Sequence, residues 1–246
     1  MTNTCILASG GMDSYLVWAL HARDADNVFV DIGHKYAYKE LTALHRLGDT
    51  VAGFRWLVVQ GPNLGKLELP SGIIPLRNAH LVLAAAQKYD HIYLGVIAGE
   101  INSDKSPAFM QGIEGVLNES WRPQYWTKGR HFTVTAPLIK ETKAGLVCRY
   151  IDQGGSVEDL LKTVSCYDAG GEHCGKCPSC FKRWVALKIN GLANRQTWLC
   201  NPLDYGNALG VIQKANHPEM SGWSHDRCRE TIMAMTGVDI GMEPRS

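Results

Sequence analysis

No run in the chain is apolar over the roughly 20 residues that a bilayer span requires, and the N-terminus lacks the charged region, apolar stretch and small-residue cleavage site of a secretory leader. Neither sign of charge is in excess: 25 Lys and Arg stand against 24 Asp and Glu, a formal net charge of +1. That balance removes the electrostatic footprint of a nucleic-acid or membrane-surface binder. Repeats and low-complexity segments are also missing, and apolar residues at 45% with charged residues at 20% exclude whole-chain disorder. What remains is a globular chain, expected in the cytoplasm, of one large domain or one domain with an appendage.

A disulfide framework does not suit that compartment, where thiols are kept reduced. The spacing of the eight cysteines agrees. Cys5, Cys148, Cys200 and Cys228 are scattered, whereas Cys166, Cys174, Cys177 and Cys180 fall within 15 residues.

The first 150 residues alternate short apolar runs with segments of helical period. Strands are expected at Thr4–Ala8, Val28–Ile32, Arg55–Val59, His91–Val96 and Phe132–Ala136, with helices from Tyr15, through 38–47 and over 80–88. Strands separated by helices of this length imply a parallel sheet covered on both faces, with its ligand at the carboxyl ends of the strands. Two stretches, 61–75 and 98–129, show few periodic positions and read as loops over that crevice. After about residue 155 the alternation gives way to a cysteine-rich helical region. The expected architecture is therefore α/β, with a Rossmann-like domain over residues 1–155 and a helical metal-binding region with a tail over 156–246.

Ser9-Gly10-Gly11-Met12-Asp13-Ser14 lies between the first strand and the first helix, where backbone N–H groups and the helix dipole can hold an anion. The glycines allow a tight turn and close approach of amides to phosphate, and Ser9 and Ser14 add hydroxyl donors. Asp13 suits a magnesium ion better than a phosphate. A plain strand-to-helix turn is the competing reading of these residues alone. The loop is neither a Walker loop nor a dinucleotide fingerprint.

Cys174-Gly175-Lys176-Cys177-Pro178-Ser179-Cys180, preceded by Cys166, gives C-x7-C-x2-C-x2-C. Four thiolates can close a tetrahedral site at about 2.3 Å from one ion, which makes a structural zinc the expected metal, with an iron–sulfur cluster the alternative. His173 is read as a solvated neighbour. Thr197 to the C-terminus has enough apolar residues to fold. It is expected to cover the cysteine region or the sheet edge, the alternative being a contact with a second subunit.

The S-G-G-x-D-S loop resembles that of the N-type ATP pyrophosphatases, of HUP-type fold, which split ATP into AMP and pyrophosphate. Together with Thr163-Val164-Ser165-Cys166-Tyr167 and the cysteine knuckle, it resembles the 7-cyano-7-deazaguanine synthase family of the queuosine pathway. Pro75-Leu76-Arg77-Asn78 is similar to the family's P-x-R-N, Gly95-Val96 to its strand-end G-V, and Pro137 to Ala144 to its P-L-x-x-x-T-K-A. The similarity runs in register from about residue 4 to 195, some four fifths of the chain.

The resemblance implies an ATP site lined by Leu7, Ala8, Ser9, Gly10, Gly11, Met12, Asp13, Ser14, Tyr15, Leu16 and Val17. Arg77 and Asn78 would stand at the crevice mouth, with Asp13, Ser14 and Lys143 in catalytic roles and the four cysteines on zinc. It further implies ATP with magnesium, ammonia, a deazapurine carboxylate as substrate and a homodimer. The transferred reaction converts 7-carboxy-7-deazaguanine to the nitrile through adenylated intermediates. The departure lies at Ile97–Phe109, where the family's N-x-x-D-Y-S-G-Y-P-D-C-R-P-E-F is reduced to Asp104, Pro107 and Phe109, and Gly33-His34-Lys35-Tyr36 stands for G-Q-R-H. A related enzyme acting on another acid, or stopping at the amide, fits the same sequence. A tRNA-modifying thiolase or lysidine-type enzyme is disfavoured by the neutral charge, although Lys182, Arg183 and Lys188 form a small basic cluster. A non-enzymatic zinc module is the remaining reading.

Overall fold

The computed structural model describes residues 3–70, 73–99, 103–168, 173–217 and 223–238. They fall into two compact units. One reaches Val96 and resumes over 100–139; the other joins Ile97–Gly99 to the chain from Lys140 onward. A boundary near 155 would detach the helix that starts at Lys143 from the cysteine helices with which it packs.

The first unit contains β1 (Thr4–Leu7), α1 (Met12–Leu20), β2 (Asp26–Asp31), α2 (Ala37–Thr50), β3 (Trp56–Gln60), α3 (Arg77–Ala86), β4 (His91–Leu94), α4 (Pro107–Ser120) and β5 (Thr133–Thr135). The strands form one parallel sheet in the order β3-β2-β1-β4-β5. Side chains of adjacent strand residues point to opposite faces, yet Cys5 and Ile6 are both fully buried. Burial on both faces is why β1 reads as a continuous apolar run instead of an alternation. Register puts Leu7 of β1 beside Val28 of β2 and Leu94 of β4, so β1 and β4 finish level with each other while β2 runs on to Asp31. Sequence order runs outward from β1 in both directions, and the loops after β1 and β4 therefore separate at the carboxyl edge.

The stretch 98–129 is not a loop. It contains α4, fourteen residues long, started by Pro107 in the first turn with Ser106 accepting the Phe109 N–H at 3.1 Å. Its fully buried side chains are Met110 and Leu117, seven residues apart, with Phe109 and Ile113 partly buried. So thin an apolar stripe, broken by Gly112 and Gly115, conceals the helix in sequence.

The second unit holds α5 (Lys143–Asp152), α6 (Val157–Leu161), α7 (Pro178–Ile189), α8 (Pro202–Ala208), α9 (Val211–Asn216) and α10 (His225–Thr236). The residues after Thr197 fold back on this unit. Gly206 of α8 is seated against the Phe181 ring of α7 and the Met235 methyl of α10, and Ala215, Cys228 and Ile232 make a small core with Trp223. The C-terminal segment is thus packed within its own unit, and the positions beyond 238 lie outside the described residues. Among the described residues no helix is long and apolar enough to cross a membrane.

Arg183 corrects the reading of a solvent-facing basic cluster, since its side chain is fully buried on α7. Its guanidinium donates to Gln196 Oε1 at 3.0 Å, Thr163 Oγ1 at 2.7 Å and the carbonyls of Leu160 and Leu161 at 3.3 and 3.4 Å. Those carbonyls end α6, where a cation is favoured by the helix dipole. Arg183 thereby ties α6, the approach to Cys166 and the segment after α7 into one polar knot. Arg183→Met should lower the stability of this unit by about 3–5 kcal/mol, because several buried acceptors lose their donor together. A denaturant midpoint within error of the parent would show that the knot is dispensable.

Candidate nucleotide and metal sites

The phosphate-loop candidate follows β1 at the point where strand order reverses. Gly10 has φ +66°, and a Cβ there would stand 2.9 Å from both the Ala43 methyl and the Glu40 carbonyl of α2. Only glycine meets the conformation and the contact together. Gly11 then begins α1 in extended geometry and supplies no side-chain cap, while the Ser14 hydroxyl donates to the Gly11 carbonyl at 3.1 Å. The first-turn N–H groups of α1 consequently start at the carboxyl edge without a capping side chain. Beside them, a Cβ on Gly95 after β4 would fall 3.0 Å from the Ser14 backbone nitrogen. The loop and the end of β4 are therefore packed directly against each other at the carboxyl edge.

Ser9, Gly11 and Asp13 are partly exposed, and Gly10, Met12 and Ser14 are buried. Tyr15, Leu16 and Val17 are core residues, at most 2% exposed. The surface that this segment offers a ligand is therefore its Ser9–Ser14 part. Asn78 is buried, with its amide donating to the Asp104 carbonyl at 3.1 Å. It anchors the short turn Ser103–Lys105 that precedes α4, inside the divergent loop, while Arg77 beside it is partly exposed. Leu76, just ahead, is held at φ +58° and is largely exposed, a strained entry to α3 that branched side chains rarely adopt. Glu100 to Asn102 of that loop lie outside the described residues.

After β2, His34 Nε2 lies 2.9 Å from Glu40 Oε2, and the ring packs near Phe29 and Tyr36. Next to it Lys35 pairs with Glu68, whose hydrogen bond pushes the Lys35 ammonium up to about 12. Sequence reasoning noted these residues as a departure without seeing the pairs, because their partners come from α2 and the loop after β3.

In the second unit Thr142 caps α5, its hydroxyl accepting the Gly145 N–H at 3.1 Å, and Lys143 is the first helical residue, partly buried. Burial raises the carboxyl of Glu230 on α10 above the ordinary range, with Thr142, Lys143 and Arg229 acting in the opposite sense.

The four cysteines converge. All four sulfurs lie within 4.8 Å of one another, and Cys174 Sγ and Cys180 Sγ are 3.9 Å apart. A tetrahedral ion at about 2.3 Å from each sulfur sets its ligands about 3.8 Å apart, so the spacing suits a single ion. A four-iron cluster places iron and sulfide between its cysteines and spreads them wider. Cys177 caps α7 with its sulfur, accepting the Cys180 N–H at 3.4 Å, and Pro178 occupies the first helical position. Cys166 accepts the backbone N–H of Asp168 at 3.3 Å and of Cys174 at 3.5 Å. Hydrogen bonds from Cys177 and Cys180 hold the Cys166 thiol far below its usual range, whereas burial pushes Cys174 up to about 11. Four thiolates this close repel one another, and a cation would hold them together.

His173 is not solvated. It is buried, accepts the Ser165 N–H on Nε2 at 3.3 Å and stands edge-on to Trp198, so it props the turn and lies outside the sulfur cluster. The Thr163-Val164-Ser165-Cys166 motif is explained at the same time, since Arg183 reaches the hydroxyls of both Thr163 and Ser165.

Two outcomes follow from these geometries. Cys177→Ser should release the bound metal and cost the second unit its cooperative melt; full metal content by elemental analysis would contradict this. Gly10→Ala should destabilise the first unit by about 1–2 kcal/mol through the left-handed backbone, with a further cost from displacing α2. An unchanged melting curve would show that the loop has room to spare.

The family model of the queuosine biosynthesis protein QueC matches residues 40–191, more than half of the chain. That segment begins after the Ser9–Ser14 loop and ends before α8. The 7-cyano-7-deazaguanine synthase of Rhizobium johnstonii is 26% identical over 220 residues, covering 77% of this chain and 89% of its own. That of Methanopyrus kandleri is 26% identical over 234 residues, covering 81% of this chain and its own entire length. The solved U34-tRNA thiolase NcsA from Methanococcus maripaludis with its 4Fe–4S cluster aligns with 96% of this chain and 72% of its own at 12% identity and a TM-score of 0.38, too slight a likeness to bear on fold or cofactor. By the family match, the chain belongs to the QueC family of queuosine biosynthesis proteins.

Proposed function

We propose that the protein is an ATP-dependent enzyme that converts 7-carboxy-7-deazaguanine and ammonia to 7-cyano-7-deazaguanine. The observation that carries the reading is the uncapped start of α1 at the strand-order reversal, packed against Gly95, in a chain of the QueC family whose relatives are named for that product. In this scheme a carboxylate oxygen of the substrate attacks the α-phosphorus of ATP and pyrophosphate leaves. Ammonia displaces AMP to give the amide. The amide oxygen then attacks the α-phosphorus of a second ATP, a second pyrophosphate leaves, and loss of AMP and a proton gives the nitrile, each carboxylate oxygen departing on one AMP.

The loop amides and the hydroxyls of Ser9 and Ser14 would hold the departing pyrophosphate, so that catalysis rests on positioning and charge stabilisation. Asp13 would serve the magnesium ion that accompanies ATP, and Lys143 the adenylated intermediate. Arg77 would act at the crevice mouth, while Asn78 would support the turn ahead of α4. The four cysteines would hold one zinc, a structural ion because the sulfurs fill its coordination and leave no position for water. A cytoplasmic setting agrees with eight cysteines that form no disulfide. The homodimer implied by the resemblance is part of this reading and is checked by light scattering.

A second reading, a relative that takes another acid or stops at the amide, is favoured by the divergence of the Ile97–Phe109 loop. Incubation with 7-carboxy-7-deazaguanine, ATP, magnesium and ammonium separates them by product mass. The expected products are the nitrile, AMP and pyrophosphate, with Asp13→Ala and Ser14→Ala each reducing turnover by about 100-fold or more in a folded protein. ADP and phosphate as products would overturn the adenylation scheme, and a product of amide mass would favour the second reading.

A further inference from the structure

The two edges of the parallel sheet are finished differently. At the β5 edge the Thr133 N–H turns inward to the Asp90 carbonyl at 2.9 Å, and the next N–H, of Val134, turns outward and donates to the Glu114 carboxylate of α4, also at 2.9 Å. Val134 is 2% exposed. That edge is closed by its own chain, which keeps other strands from pairing with it.

The β3 edge has no such cover. The Arg55 carbonyl accepts the Asn27 N–H of β2 at 3.0 Å, and the Gly61 N–H donates to the Asp31 carbonyl at 2.8 Å, so the odd-numbered residues of this stretch turn their backbone groups to β2. Trp56, Val58 and Gln60 therefore turn both N–H and C=O outward. Among the described residues none bonds to those groups, and Val58 is 47% exposed. The strand reads Trp-Leu-Val-Val-Gln, with no proline and no charge, and its unbroken pairing with β2 leaves no bulge. The devices that normally protect an edge are missing here.

An apolar strip runs beside this open edge. The His45 ring of α2 stands edge-on to Trp56 with centroids 4.6 Å apart. Tyr38 lies seven residues earlier, on the same face of α2, and is 83% exposed. Seven helical residues and three strand residues each span about 10 Å, so Tyr38 comes level with the Val58–Gln60 end of β3. The opposite face of α2 carries Ala43 and the Glu40 carbonyl against Gly10.

We propose that β3 pairs antiparallel with β3 of a second copy of this chain, about a two-fold axis at Val58. The edge is complementary to itself. In this register Val58 opposes Val58 and Trp56 opposes Gln60, each an outward-facing pair that exchanges both backbone hydrogen bonds. Arg55 falls opposite Gly61, so no like charges meet. Tyr38 and Trp56 supply aromatic surface beside the axis, of the kind that anchors interfaces. The proposal rests on the homodimer reading given above and supplies that dimer's surface. It also makes the helix that braces the Ser9–Ser14 loop part of the shared face.

The parent chain should have the mass of a dimer in light scattering. Val58→Pro removes only the outward N–H, and Val58→Lys sets two ammonium groups side by side at the axis; each should halve that mass while keeping the circular dichroism and metal content of the parent. Val58→Cys should form a disulfide between copies on air oxidation, located by peptide mass analysis, because residues opposed in such a pair have Cα atoms about 5.5 Å apart. Gln60→Cys should not, since the two copies of that position stand roughly 14 Å apart. Should Val58→Pro fail to fold, Val58→Lys and Val58→Cys carry the test. A dimeric parent whose Val58→Lys variant stays dimeric, or one that cross-links at 60 and not at 58, overturns the β3 interface and leaves the homodimer standing. A monomeric parent overturns the homodimer reading and the proposal with it.

Discussion

A parallel sheet whose strand order turns back on itself cannot close over the turning point. β1 sends its chain one way and β4 the other, and the space above their carboxyl ends has no connection to fill it. Every feature of the first unit's candidate site follows from that geometry. The loop after β1 must turn sharply because α1 starts directly behind it, and Gly10 is pressed onto α2 because β2 is the neighbour on that side. Gly95 is pressed onto Ser14 because β4 is the neighbour on the other. The fold makes the crevice, and the short Ser9–Ser14 segment only has to line it.

The second unit is organised around a different constraint, the cost of gathering ionisable groups away from water. Four thiols are brought to one point by a turn and a helix start, and Cys166, Cys174 and Cys180 are buried. As thiols they are tolerable neighbours; as thiolates they repel until a cation joins them. Arg183 is the complementary case, a buried cation surrounded by carbonyl, hydroxyl and amide oxygens that end or flank short helices. The two centres share a stretch of chain, because Thr163 and Ser165, which Arg183 grips, lead straight into Cys166. Metal loss should therefore loosen the polar knot as well as the knuckle.

The parts of this architecture that sequence exposes are those written in short, local patterns. All five strands lie within the runs expected for them or beside their ends, because central parallel strands are continuous apolar stretches. The knuckle is equally local, since the ends of Cys174–Cys180 stand within one helix start. Residues whose meaning depends on distant partners stay hidden. Arg183 reads as one more surface cation until Leu160, Thr163 and Gln196 are seen around it. His173 reads as solvated until Ser165 and Trp198 enclose it. α4 was concealed for a different reason: its buried stripe is too narrow to set a period.

Side-chain capping differs between the two units, the short α9, which begins at Gly210, being the uncapped helix among those described in the second unit. α4, α5, α6, α8 and α10 begin with Ser, Thr or Asn side chains that accept a first-turn N–H, and α7 uses the Cys177 sulfur. α1, α2 and α3 begin at Gly11, Tyr36 and Leu76, none of which caps. An absent cap forgoes about 1 kcal/mol per helix, and the left-handed Leu76 adds strain of similar size. These three helices follow β1, β2 and β3 and start without a capping side chain; the Ala37 and Arg77 N–H groups donate instead to the carbonyls of His34 and Ile74. Under the proposed function, a phosphate at the start of α1 would supply an acceptor that no side chain provides there. The same donors would be worth little to a neutral ligand. The uncapped start of α1 would thus serve the ATP common to both readings of the function, whichever acid the divergent loop before α4 admits beside it.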